Sequence, residues 1–129
     1  MVKVEILVGV VGSKRKFVAG QISEFCLYLR VDGRDSLEVT SFMPYQQILS
    51  YFEESFRDYA VSLQKQICYF VNYNYCRSFD PSDCEFIVRN GWRNRFDTGE
   101  DVRCQPLPLE IINTFRDELT SLGLKEAKK

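Results

Sequence analysis

The pattern of this chain predicts an α+β fold: a mostly antiparallel sheet with one long amphipathic helix, at about 44–65, and a C-terminal helix, at about 108–122, packed on it. Three observations carry that expectation. Apolar residues alternate strictly at Val2, Val4, Ile6, Val8 and Val10, the period of a half-buried strand. Tyr45, Ile48, Leu49, Phe52, Phe56, Tyr59, Ala60 and Leu63 recur at i, i+3, i+4 and i+7, which gives a helix one apolar face. Asp32-Gly33 and Asn90-Gly91 are the dipeptides that tight strand turns prefer.

The first strand turns apolar on its other face at Leu7 and Val11, so its far end is expected to be covered on both sides. Lys14, Arg15 and Lys16 follow Gly12-Ser13 as a basic turn, and residues 17–22 resume extended structure. Phe25, Leu27, Leu29 and Val31 form the inward face of the next strand, with Leu37 and Val39 as its partners after Asp32-Gly33. Odd positions pair with odd positions only across an odd loop, because a one-residue slip would expose the face. A bulged hairpin with a three- or five-residue loop is therefore expected.

Pro44 suits the first turn of the long helix, and Glu53 with Arg57 makes a favourable i,i+4 pair on its outer side. Residues 67–76 read as a strand: Ile67, Tyr69, Val71, Tyr73 and Tyr75 share one face, expected to pack beneath the helix. Asp80-Pro81 marks a loop. Cys84, Phe86 and Val88 make another strand, Asn90-Gly91 a two-residue turn, and residues 92–96 a short strand that sets Arg89 opposite Trp92. An acidic turn at 97–101 leads to a last strand near 102–104. Pro108 opens the C-terminal helix, whose stripe is Ile111, Ile112, Phe115, Leu119 and Leu122, and Gly123 stops it. The expected division is one globular domain over 1–123 and a frayed tail over 124–129.

Length and charge bound the function. A chain of 129 residues is one domain long. Seventeen basic residues face 18 acidic ones. Residues 1–66 carry eight of each sign and residues 67–129 nine basic and ten acidic. No global field draws the chain to nucleic acid or a membrane, so any anion site is local. Five cysteines, an odd number with no C-x-x-C pair, point to reduced thiols and a cytoplasmic location. The N-terminal apolar run, interrupted by Gly9 and preceded by Glu5, is too short for a signal peptide.

Catalysis is hard to assemble from these residues. There is no histidine, hence no triad of the usual kind and no typical zinc set. Arg77 beside Cys76 is the one activating neighbour a cysteine has in sequence. Asp80, Asp83 and Glu85, like Asp97, Glu100 and Asp101, lack EF-hand spacing and suit solvated turns. Gly9 to Lys14 departs from a phosphate loop, with two residues between its glycines and serine before lysine. No metal and no cofactor is implied.

Recognition is the remaining class. Arg89, Asn90, Trp92, Arg93, Asn94, Arg95 and Phe96 gather three guanidinium forks, two amides and the only tryptophan. Such groups clamp phosphate, carboxylate or a base ring. With Lys14, Arg15 and Lys16 they form the expected ligand-binding set. The expected function is non-catalytic capture: a small anionic, nucleotide-like ligand, or an acidic patch on a partner protein, held by a sequestering, inhibitory or accessory protein. The alternative is a scaffolding subunit acting through a sheet edge or helix face. So many aromatic faces in so short a chain also point to a homo-oligomer.

Overall fold

A computed structural model of the chain describes residues 2–11, 22–76, 78–95 and 101–127, with residues 92–95 and 101–103 described by their backbone alone. The fold is α+β. Strands β1 (Val2–Val11), β2 (Ile22–Val31) and β3 (Arg34–Pro44) lead into helices α1 (Tyr45–Glu54) and α2 (Phe56–Tyr75). A 3₁₀ turn (Pro81–Asp83) precedes β4 (Cys84–Asn90), β5 (Trp92–Arg95) and β6 (Asp101–Cys104), and then come α3 (Leu109–Ser121) and β7 (Lys125–Glu126). Five strands form a mixed, mostly antiparallel sheet in the order β3-β2-β1-β4-β7. β5 and β6 make a separate two-stranded ribbon.

β1 is central. It pairs antiparallel with β2 and parallel with β4, and its even positions, Val2 to Val10, are at most 3% exposed. Phe25, Leu27, Leu29 and Val31 of β2 and Phe86 of β4 are fully buried on the same side. The helices close over this face. Phe52 is fully buried, with ring centroids 5.2 Å from Phe25, 4.8 Å from Phe56 and 5.0 Å from Phe115. The core is thus built on rings joining sheet, α1, α2 and α3, each buried ring contributing roughly 2–3 kcal/mol.

The Asp32-Gly33 turn has two residues, not three or five. Both take positive φ, 50° and 82°, as a primed hairpin turn requires. Register is restored one step later: Val31 pairs with Arg34 and Arg30 with Asp35, yet Leu29 pairs with Leu37. The extra residue is Ser36, so the expected bulge lies in β3 and the apolar faces still coincide. Asp32 also ties the hairpin down. Its Oδ1 accepts from the Lys3 backbone N–H at 2.8 Å, and its Oδ2 accepts from the Tyr75 hydroxyl.

The single helix expected over 44–65 is two helices that break at Ser55 and continue ten residues further. Residues 67–76 are therefore the last turns of α2, not a strand. Ile67, Phe70 and Val71 are buried at helical spacing, continuing Ala60 and Leu63. Tyr69 and Tyr73, expected beneath the helix, lie on its outer side, 67% and 74% exposed, with their rings stacked 6.0 Å apart. Arg57 reaches across to α3, donating to Glu118 Oε1 at 3.0 Å and Ser121 Oγ at 3.4 Å.

Residues 124–127 of the segment expected to fray are held, and Lys128 and Lys129 lie outside the described residues. Leu124 is buried, β7 adds to β4 in parallel, and the Ala127 N–H donates to the Phe86 carbonyl at 2.8 Å. Arg116 pairs with Glu126. No helix among the described residues is long and apolar enough to cross a membrane.

Candidate functional site

The expected hairpin between β4 and β5 does not exist. β4 stays in the main sheet as far as Asn90, paired with Val8, and β5 pairs with β6. Asn90-Gly91 is the point where the chain leaves the sheet. The Gly91 N–H donates to the Val8 carbonyl at 2.7 Å. Beyond it the edge of β1 passes to Gln105, which exchanges both backbone hydrogen bonds with Val10, at 3.0 and 2.8 Å.

Asn90 acts as a fastener. Its amide donates to the Leu107 carbonyl and accepts from the Leu107 N–H, both at 2.8 Å. That side chain copies a β bridge and closes the loop carrying β5 and β6. Gly91 has φ 79°, and a Cβ there would lie 2.8 Å from Pro106 N and 3.1 Å from the Cys104 carbonyl. Only glycine fits between the two ends of the ribbon.

Arg89 does not stand opposite Trp92 as expected. Its register partner on β1 is Leu7, and its Nε donates to Glu5 Oε2 at 2.7 Å, so its charge is answered within the sheet. Trp92 stands opposite Cys104, not Arg89. The cation–π pairing of those two has no basis in the register. Of the remaining expected residues, Arg93 stands opposite Arg103, Asn94 opposite Val102 and Arg95 opposite Asp101. Phe96, Lys14, Arg15 and Lys16 lie outside the described residues.

The register brings in one residue that sequence reasoning missed, Arg103. Its signal was present, since pairing Trp92 with Cys104 fixes Arg93 against Arg103. That signal appears only once β5 is paired with β6 instead of β4. Like charges directly opposite on a ribbon are unfavourable by roughly 0.2–1 kcal/mol. In the register Arg95 is opposite an acidic position, Asp101, whereas Arg93 is opposite a second arginine, Arg103.

The ribbon meets the sheet through a thiol. Cys26 and Cys104 are 2% and 5% exposed, and Cys26 donates to Glu24 Oε1 at 3.4 Å. Hydrogen bonding with Cys104, burial and the Glu24 carboxylate all hold the Cys26 proton well above the ordinary thiol range. Burial and the charges of Asp32, Asp83 and Glu85 push Cys84 up to about 12. Cys26 and Cys84 are protonated packing groups, whereas the hydrogen bond with Cys26 holds Cys104 below its ordinary thiol value. All five cysteines are free thiols, with Cys76 exposed and Cys68 half-buried.

The acidic loop before β4 is likewise structural. Asp80 Oδ1 accepts from the Ser82 N–H and Oγ at 3.0 and 2.9 Å, capping the 3₁₀ turn. No cluster of three metal-ligating side chains occurs among the described residues. A shallow depression of about 460 Å³ lies on α1, lined by Met43, Gln46, Gln47, Ser50, Tyr51 and Glu54. It is wide open and holds no convergent charge, so it offers no ligand a fixed orientation. No protein-family model, curated protein or solved structure matches the chain.

Proposed function

We propose that the chain is a non-catalytic recognition protein whose β5–β6 ribbon captures an anionic group, either of a small nucleotide-like ligand or of an acidic patch on a partner protein. The register of Arg93 opposite Arg103 carries this reading. Like charges at directly opposite positions of a ribbon are unfavourable alone, and a phosphate or carboxylate that accepts from both arginines relieves them. The base of the ribbon is tied by Asn90, Gly91 and Gln105, so little ordering entropy is spent there on binding. The near balance of charge over the whole chain supports a local anion site over nucleic-acid binding. Free thiols support a cytoplasmic location.

Thermal melts at fixed protein concentration test the reading, with a nucleotide panel, inorganic triphosphate and an acidic peptide as probes. A true ligand at 100 times its Kd adds about 2.7 kcal/mol of stability. The shift is expected in the wild type and lost in Arg93→Ala/Arg103→Ala, whose ligand-free melt stays close to wild type. A shift that survives both substitutions places the site elsewhere, and no shift with any probe removes the reading.

A further inference from the structure

The two edges of the main sheet are treated very differently. β7 closes one edge with only two residues, Lys125–Glu126, a short and charged end of the kind that discourages further pairing. β3 forms the other edge with eleven residues. None of the eleven is buried, although its neighbour β2 buries six of ten. Leu37, Val39 and Met43 pack against the core and still remain only half-buried. On the opposite face Phe42 is 68% exposed and Ile22 beside it 56%, and Tyr51 on α1 is 40% exposed next to Met43. Apolar surface thus straddles this edge on both faces, beside backbone groups that have no neighbouring strand on that side among the described residues.

The charges of β3 sit at its start, in Arg34, Asp35 and Glu38, and the bulge at Ser36 lies there too. Residues 39–43, Val-Thr-Ser-Phe-Met, carry no charge and no bulge. That stretch lacks the devices that blunt natural edges. It is also complementary to itself. Antiparallel pairing about Ser41 sets Val39 against Met43 on the helix side and Thr40 against Phe42 on the outer side, each twice, with odd positions kept on the core face. The same pairing leaves the charged residues outside the new ladder, whereas pairing about Glu38 would set that carboxylate against its own copy.

We propose that the β3 edge is a homodimer interface in which residues 39–43 of two copies pair antiparallel about a twofold axis at Ser41. The two sheets become one, and the helices of both copies lie on the same side of it. The proposal is independent of the arginine ribbon. It commits to a second copy of this chain, because an uncharged self-matching segment selects its own copy over a strand of unrelated pattern.

Sedimentation equilibrium on the reduced full chain tests it, with Thr40→Lys/Phe42→Lys as the variant. Both positions are exposed in the single chain, so folding is retained, as far-UV circular dichroism and a thermal melt at low concentration will show. In the paired edges the two new charges face each other across the interface twice. The wild type is expected to be a dimer at micromolar concentration, and the variant's dissociation constant to rise at least about 100-fold. A wild type that stays monomeric at high concentration, or a folded variant that dimerises as tightly as the wild type, overturns the proposal. So does a heterotypic strand peptide that binds the monomer while the monomer ignores itself.

Discussion

The two faces of the central strand show how the molecule divides its work. Even positions of β1, from Val2 to Val10, enter a ring-built core under three helices and are essentially dry. Odd positions meet a mixture: Lys3 is exposed, Glu5 is paired with Arg89, and Leu7 is buried. Past Val8 the strand's free edge receives Gln105 at the foot of the ribbon. One face carries stability through shape and area. The other carries the Glu5–Arg89 ion pair beside the buried Leu7 and the thiol contact to the ribbon. Substitutions should therefore act on folding on the first face and on binding or assembly around the second.

The largest effect is expected from Phe52→Ala, which removes a fully buried ring touching β2, α2 and α3. It should cost about 3–5 kcal/mol in urea titration, out of the roughly 5–15 kcal/mol typical of a domain. A loss under about 1 kcal/mol would mean the core is not organised around that ring. Next comes the foot of the ribbon. Asn90→Ala leaves the Leu107 N–H and carbonyl without their partner, at a cost of about 1–3 kcal/mol. Gly91→Ala meets both a left-handed φ and Pro106, whereas Gly33→Ala has open space and meets φ alone. The Gly91 variant should be the less stable of the two in parallel melts, and equal losses would contradict the close approach.

Alkaline pH sharpens the contrast between dry and wet groups. The folded pKa of Cys84 is raised to about 12 from 9.0 by burial and neighbouring carboxylates. Its contribution to stability is complete below about pH 9 and falls as pH climbs toward 12, because the unfolded chain releases that proton first. Burial raises Tyr28 and Tyr59 in the same direction. Thiol counting with an aromatic disulfide should show Cys76 reacting first and Cys68 second. Cys26, Cys84 and Cys104 should wait for unfolding. Fast reaction of Cys104 in native protein would mean that the ribbon lifts from the sheet. The smallest effect on folding, within about 0.5 kcal/mol, is expected from Arg93→Ala.

Where the chain's local signal and its packing agreed, the fold was legible. The strict alternation of β1, the 3.6-residue stripe of α1 and early α2, and the Pro108-to-Gly123 helix all correspond to elements of the structure. Residues 67–76 misled because Ile67, Tyr69, Val71, Tyr73 and Tyr75 are strand-favouring residues at alternate positions. The helical triad Ile67, Phe70 and Val71 was present in the same segment, and the core under α2 decided between them. The two turn dipeptides make the same point. Asp32-Gly33 is a hairpin because β2 and β3 are apolar in matching register. Asn90-Gly91 has the same local preference, yet β4 finds β1 on one side and β7 on the other, so the chain must exit the sheet there. The site was legible only as a composition. Its arginines were visible, but their pairing follows only once β5 is joined to β6 and not to β4, and the Asn90-Gly91 signal pointed to β4.

The most direct test of this division is a residue-resolved titration of the backbone amides by NMR, with a nucleoside triphosphate and with inorganic triphosphate. Chemical shifts should move in Trp92–Arg95 and Asp101–Cys104, while the amides of α1, α2 and α3 stay in place. Perturbations centred on the helices, or a ribbon unmoved by either anion at millimolar concentration, would contradict it.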